Sequence, residues 1–327
     1  MSRAAWLLAI LAAIALGFPW LAGGYALSVG TLILYFAYTT QAWNVMMGFA
    51  GQLSLGHALY VGLGAYASGA LFYHLGIGLW AGLPLAIALA MAAGLAIGYL
   101  AFRFGVSGVY FALLTVAFAE FTRIGFDHLS WTGGPGGMFL PVAQRDAIDL
   151  VHFRGPPMLY YYAMLALTAG ALWVCWRLLG SRAGYYWQAI RDDEEAAQAL
   201  GIHVFRWKLL AVAISAGMTA ISGVFFAFYY NNLFPEQIFN ISRSIEIILG
   251  SVIGGVGTLF GPILGAVMLT LLSEGVTEAQ AAIGWDVPGS KQVVYGVVLL
   301  AVVVFLPQGI WPPLARRLGL RRLGLRR

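Results

Sequence analysis

The side chains in this chain that could do chemistry are few, and their spacing already excludes most enzyme classes. Five histidines, His57, His74, His128, His152 and His203, stand singly, with no cluster at metal-ligand spacing. The one cysteine, Cys175, cannot form an intrachain disulfide, a Cys-based zinc site or an iron–sulfur cluster. Only two lysines are present and neither completes G-x-x-x-x-G-K-[ST]; the nearest run, Gly284 to Lys291, has serine where that motif needs lysine. H-E-x-x-H and G-x-S-x-G are missing from the sequence. No catalytic residue, metal or cofactor of its own is expected.

Composition supplies the next exclusion. Of 327 residues, 61% are apolar and only 9% charged, against about a quarter charged in a soluble domain. Such a surface in water would carry large apolar patches, so the solvent for most of the chain is lipid. Polar side chains then become informative, because each must face a partner or a water-filled path. Gln41, Asn44, Gln52, Ser54 and His57 cluster around one glycine-rich interruption, and Glu120 and Arg123 stand three apart, on one helix face. All are candidates for a translocation path. The plainer reading of His57 is a hydrogen-bonded packing residue. For Glu120 and Arg123 a structural ion pair is favoured over a cradle for a zwitterion, because an unpaired charge in the membrane is costly.

Hydrophobic runs must position these residues. From Ala4 to Phe102 there is no Asp, Glu, Lys or Arg, which leaves room for four helices of about 20 residues. Turn signals fall at Pro19 to Gly24, Gly48 to His57 and Leu75 to Gly78. The runs are 5–21, 25–47, 58–75 and 80–101, then 104–126, 155–176, 209–235, 247–273 and 292–315. They predict an all-α polytopic transmembrane protein, one membrane domain over 1–327, with about eight full spans and one irregular segment. The first run lacks a small-x-small cleavage site and reads as a retained helix. Gly62, Gly64, Ala65 and Gly69 give the third run a small-residue face for close helix packing.

Arginine and lysine set the orientation. Arg177, Arg182, Arg191, Arg206 and Lys208 place the loop around 180–208 in the cytoplasm, together with Arg3 and Arg103, and leave 127–157 outside. The tail 316–327 holds six arginines, which suit the cytoplasmic side and anionic lipid headgroups. Both termini are thus expected inside. Three simple crossings after Lys208 would put that tail outside, so one of them is irregular. The run 247–273 is the one, because Gly254, Gly255, Gly257 and Pro262 interrupt it; two half-helices, re-entrant from the outside, are expected. This break and Gly48 to His57 share a G-x-x-G-[QT]-L core, which suggests two related halves with a site at their interface.

The most informative polar segment is Gln188 to Ile202. Acids at 192–195 suit a helix N-terminus, alanines propagate the helix, and Gly201 is placed to end it. Such a helix presents a small, smooth face suited to a groove on a soluble partner; the alternative is a solvated loop helix. In the outer loop, Thr132, Gly133 and Gly134 begin a run to Gly137 that is either a gate or docking element or an ordinary tight turn.

Glu195-Ala196-Ala197 followed by Gly201 resembles the EAA-x-x-x-G signature of bacterial ABC importer permeases. The surrounding Ala-Ile-Arg-Asp-Asp-Glu-Glu-Ala-Ala is similar to the branched-chain amino acid permease family, whose members also lack the I-x-L-P ending missing here. Gly51 to His57, Trp131 to Gly137 and Gly254 to Pro262 resemble the same family, so the likeness extends over about 44–270. It implies a permease subunit of the M type in the bacterial inner membrane. Its implied partners are a homologous second permease, two subunits that bind the ATP, and an external solute-binding protein; Glu195, Ala196, Ala197 and Gly201 would couple to the ATPase. Its cargo would be branched-chain or other hydrophobic amino acids, with urea, short amides or aromatic acids as the alternative. A rival reading is an ion-coupled secondary transporter working through Glu120 or Glu246.

Overall fold

The structure is a computed structural model that describes residues 3–141, 149, 153–284 and 289–318. The described residues form fourteen α-helices and one pair of two-residue strands, so the chain is all-α. The helices are α1 (Arg3–Leu21), α2 (Gly24–Asn44), α3 (His57–Leu75), α4 (Leu79–Arg103), α5 (Gly108–His128), α6 (Pro157–Leu179), α7 (Arg182–Asp192), α8 (Glu194–Ala199), α9 (Val204–Tyr230), α10 (Pro235–Ile238), α11 (Ile241–Gly254), α12 (Gly261–Ile283), α13 (Ser290–Phe305) and α14 (Trp311–Arg317). Five of them, α4, α5, α6, α9 and most of α12, are long and apolar enough to cross a membrane. The C-terminal tail is described only to Leu318, so its last four arginines lie outside the described residues.

The helices gather into two compact units interleaved along the chain. One comprises 42–155 and 173–248. Its centre is α9, most of which is buried between α3 and α4. Small residues make this possible, as expected for the face on α3. A Cβ added to Gly64 would fall 2.2 Å from the Ala220 carbonyl oxygen, and one added to Gly223 would fall 2.0 Å from that of Val61. Backbone therefore lies directly on backbone, the packing that replaces the hydrophobic effect in lipid. Met46, Leu59, Tyr60, Ala90, Phe111 and Ala216 fill the core around that contact.

The other unit comprises 1–41, 156–172 and 249–327. Tyr161 and Tyr162 of α6 donate to the Ala15 and Leu16 carbonyls of α1 at 2.9 and 3.0 Å, and Tyr25 of α2 donates to Glu274 of α12 at 2.8 Å. Here the run 247–273 does break where its glycines stand, between Gly254 and Gly261. Gly255 and Gly257 take φ of +122° and +78°, and Pro262 starts α12, where its missing N–H costs nothing. The expectation of two half-helices is corrected: α12 has 23 residues and is no half-helix, whereas α11 has 14. The two run antiparallel, with Gly254 against Gly261 and Gly250 against Gly265; a Cβ on Gly254 or Gly265 would fall 1.8 Å from the opposing carbonyl oxygen.

Two further boundaries are corrected. The run 292–315 is interrupted after Phe305 and resumes as α14, and Ile310 N–H donates to the Ile253 carbonyl at 2.9 Å, so the chain turns there to satisfy the end of α11. The run placed at 209–235 begins at Val204 instead, so Arg206 and Lys208 belong to the helix and not to the loop. Lys208, buried in that first turn, pairs with the half-exposed Glu194.

Candidate functional site: the glycine-rich break and the loop beneath it

Residues 45–57 form the junction of the larger unit. The π-helical turn Val45–Phe49 follows α2, and the chain then runs outside any helix to His57, where α3 begins. π-Turns recur at functional sites, because they widen a helix and free carbonyls. Gly51 takes φ +70°, a conformation that L side chains rarely adopt, and this lets the chain reverse out of the turn.

Side chains from several helices hold the break. Trp43 Nε1 donates to the Ser54 carbonyl at 2.8 Å, and the Leu55 N–H donates to Thr115 Oγ1 of α5 at 3.1 Å. Ser244 of α11 accepts the Ala58 N–H at 2.9 Å, satisfying one of the free donors at the start of α3. His57 is fully buried, with Nδ1 3.2 Å from Ser54 Oγ and Nε2 2.9 Å from Ser215 Oγ of α9. Ser215 donates its single hydroxyl proton to the Ala42 carbonyl at 2.8 Å. It can therefore only accept from His57, which places a proton on Nε2. Both ring nitrogens are engaged, the geometry of a fastener between α3 and α9.

Asn44, Gln52 and Ser54 are buried here too, and Gln52 Nε2 donates to the Ala50 carbonyl at 2.9 Å. Gln41 lies one turn before Asn44 on α2. It is 1% exposed, yet neither its Oε1 nor its Nε2 meets a hydrogen-bond partner. Glu120 and Arg123 stand apart from this cluster on α5, joined by two N–H bonds of 3.0 Å to the two carboxylate oxygens and a third of 2.6 Å. Asp127, which the spacing argument did not include, completes the group at 2.6 Å from Arg123 Nη1.

The short helix expected to start at the acids 192–195 is α8, and α7 precedes it. Asp193 is extended and caps α8, its carboxylate accepting the Ala196 N–H at 2.9 Å. An acid that serves as a cap stops the preceding helix, so α7 ends at Asp192. Gly201 ends α8 as its position implied: φ is +84°, its N–H donates to the Gln198 carbonyl at 2.9 Å, and the Ile202 N–H donates to that of Ala197 at 3.1 Å. This bond pair is a Schellman motif. Ala197 packs inward with Ile190 and Val204, while Glu195 and Ala196 are exposed beside Leu200, which is 82% exposed.

Side-chain bonds tie this segment to the rest of its unit, beside the packing of Ile190 and Ala197 on Val204 and of Tyr186 on Trp207. Trp187 Nε1 donates to the Trp207 carbonyl at 2.8 Å, Glu194 pairs with Lys208, and Arg191 Nη1 donates to the Gly48 carbonyl at 2.6 Å. The last joins the segment directly to the break. From the sequence Arg191 was read only as an orientation signal and Ser215 was not singled out, since nothing in their spacing shows what they meet.

On the far side, Thr132 is buried, donating to the Leu129 carbonyl at 2.9 Å, and two 3-10 turns, Ser130–Thr132 and Gly134–Gly136, carry the chain through Gly133 and Gly134 at φ +86° and +55°. Strand β1 (Met138–Phe139) pairs with β2 (Asn232–Leu233), fastening this loop to the end of α9. His74 stacks on Trp131 with ring centroids 4.8 Å apart.

Residues 25–303 match the family described as branched-chain amino acid transport system / permease component. The chain belongs to this family. The permease is 29% identical to the high-affinity branched-chain amino acid transport system permease protein LivM of Escherichia coli K12, over 96% of this chain and 76% of that protein. It is equally similar to LivM of Salmonella typhimurium LT2, over 94% and 75%. The autoinducer 2 import system permease protein LsrC of Salmonella paratyphi B is 28% identical over 54% of the permease and 49% of its own length. No solved structure matches the permease.

Proposed function

We propose that this permease is the membrane-spanning subunit of an ATP-driven importer of branched-chain or other hydrophobic amino acids. It sits in the bacterial inner membrane and pairs with a homologous permease, two ATP-binding subunits and an external solute-binding protein. The observation that carries the reading is the α7–α8 segment. It is capped at both ends, it exposes Glu195, Ala196 and Leu200, and it is bonded through Arg191 to the break that holds Gln52, Ser54 and His57. A rigid, partly apolar knob of this kind fits a groove on a soluble ATPase and can pass a displacement upward.

Among the path candidates Gln41 is the strongest. A buried carboxamide without a partner is costly unless it meets a ligand or water during the transport cycle. The loop from Thr132 to Gly137, fastened by β1–β2 and carrying the exposed Trp131, is the docking face for the binding protein. About eight full spans fit the helix lengths, with α11 and α12 as the hairpin that returns the chain. At 14 residues α11 is about 21 Å long, short of the roughly 30 Å hydrocarbon core. The two glycine-rich breaks, each with left-handed glycines, support the relation between halves.

Reconstitution tests this reading. Proteoliposomes holding the permease with its cognate ATPases and binding protein should take up leucine only with ATP inside and regardless of ionophores. Uptake by the permease alone, abolished by ionophores, would replace it with ion-coupled transport. A binding protein with affinity only for urea or an aromatic acid would change the cargo and leave the mechanism.

A further inference from the structure

We infer that Arg191 is the strut through which movement of the α7–α8 segment reaches the break above it; the inference rests on that segment being the ATPase-docking element. Two of the segment's bonds, Trp187 to Trp207 and Glu194 to Lys208, run to the base of α9, as do the Tyr186–Trp207 and Ala197–Val204 contacts. That helix has 27 residues and is largely buried against α3 and α4, so it cannot follow a local push. A third bond runs to the end of the π-turn, beside the stretch 51–56 that belongs to no helix. Of the segment's bonded partners, the break is the one that lies outside a helix, so it is where a displacement carried by Arg191 is received.

The contact is built for transmission. Arg191 Nη1 holds the Gly48 carbonyl at 2.6 Å, at the end of the π-turn, while Nη2 lies 3.4 Å from Asp192 Oδ1. One planar guanidinium thus spans both sides, which an ammonium cannot do. The stem presses on Gly51, where an added Cβ would fall 2.9 Å from Arg191 Cγ and 3.2 Å from its Cα. Push and pull both reach the chain just before Gln52 and Ser54. Arg191 is a positioning residue and touches no cargo.

The test uses the permease coexpressed with its cognate ATP-binding subunits, with Cys175→Ser and a reporter thiol from Leu55→Cys, which is partly exposed in the break. Copurified ATPase, uptake, and the change in thiol labelling rate on trapping with ATP and vanadate are measured together. Arg191→Ala should keep the complex assembled, abolish the nucleotide-dependent change in labelling and lower uptake about tenfold, the equivalent of one lost charge-assisted hydrogen bond. Arg191→Lys should fall between, and Gly51→Ala, which displaces the arginine stem, should reproduce Arg191→Ala. Wild-type labelling change and uptake in Arg191→Ala overturn the strut. So does loss of ATPase from the Arg191→Ala and Gly51→Ala complexes in proportion to uptake, which makes the residue a fastener. If the unsubstituted permease retains no ATPase, the parent reading falls with it.

Discussion

At the residue scale, the polar groups divide by what they already touch. His57, Ser54 and Ser215 are mutually satisfied and close a join between helices, whereas the Gln41 carboxamide is buried and unbonded. This difference predicts opposite signatures. Gln41→Leu removes an unsatisfied polar group, worth about 1–3 kcal/mol if nothing replaces its bonds. The purified permease should melt at the same temperature or higher, while uptake drops. Melting unchanged and uptake unchanged would take Gln41 off the path. The charged trio on α5 already neutralises itself in part, since the Arg123 guanidinium bonds both carboxylates.

At the element scale, close packing and capping are separable. Gly223→Ala would push a methyl into the Val61 carbonyl oxygen, and neither backbone can yield because α3 and α9 lie in direct contact. Overpacking of this kind costs about 1–3 kcal/mol or more, so a lower melting temperature of the detergent-solubilised protein is expected. Gly201→Val acts differently. A Cβ there meets nothing within 4 Å, so the cost within the permease is confined to φ +84°, about 1–2 kcal/mol for a β-branched residue. Membrane levels should stay near normal while copurified ATPase falls. Full ATPase recovery and full transport would make the segment a solvated linker.

At the scale of the whole molecule, the hairpin of α11 and α12 decides the parity of the chain. If the pair returns the chain to the side it came from, as proposed, α13 then carries it across. Single cysteines introduced by Ser290→Cys and Leu325→Cys, in a Cys175→Ser background, should be labelled from opposite faces, position 290 from outside and position 325 from inside. Labelling of position 290 from the cytoplasm would mean that the hairpin does not return the chain.

The sequence by itself determined the solvent and the class: a charge-free stretch from Ala4 to Phe102 cannot fold in water, and lipid admits helices because every backbone group must be bonded within its own segment. It also located the breaks, since Gly255, Gly257 and Pro262 oppose helix locally whatever surrounds them, and it placed the Schellman glycine at 201. Those are properties of a few neighbouring residues. The cap at Asp193 is likewise local, but the ion pair that joins Glu194 to Lys208 at the start of α9 was decided by tertiary structure, because it depends on which elements meet. The link from Arg191 to Gly48 spans 143 positions and leaves no periodic trace. Spacing reports which residues share a helix face; only the folded chain brings a loop arginine to a carbonyl freed by a π-turn.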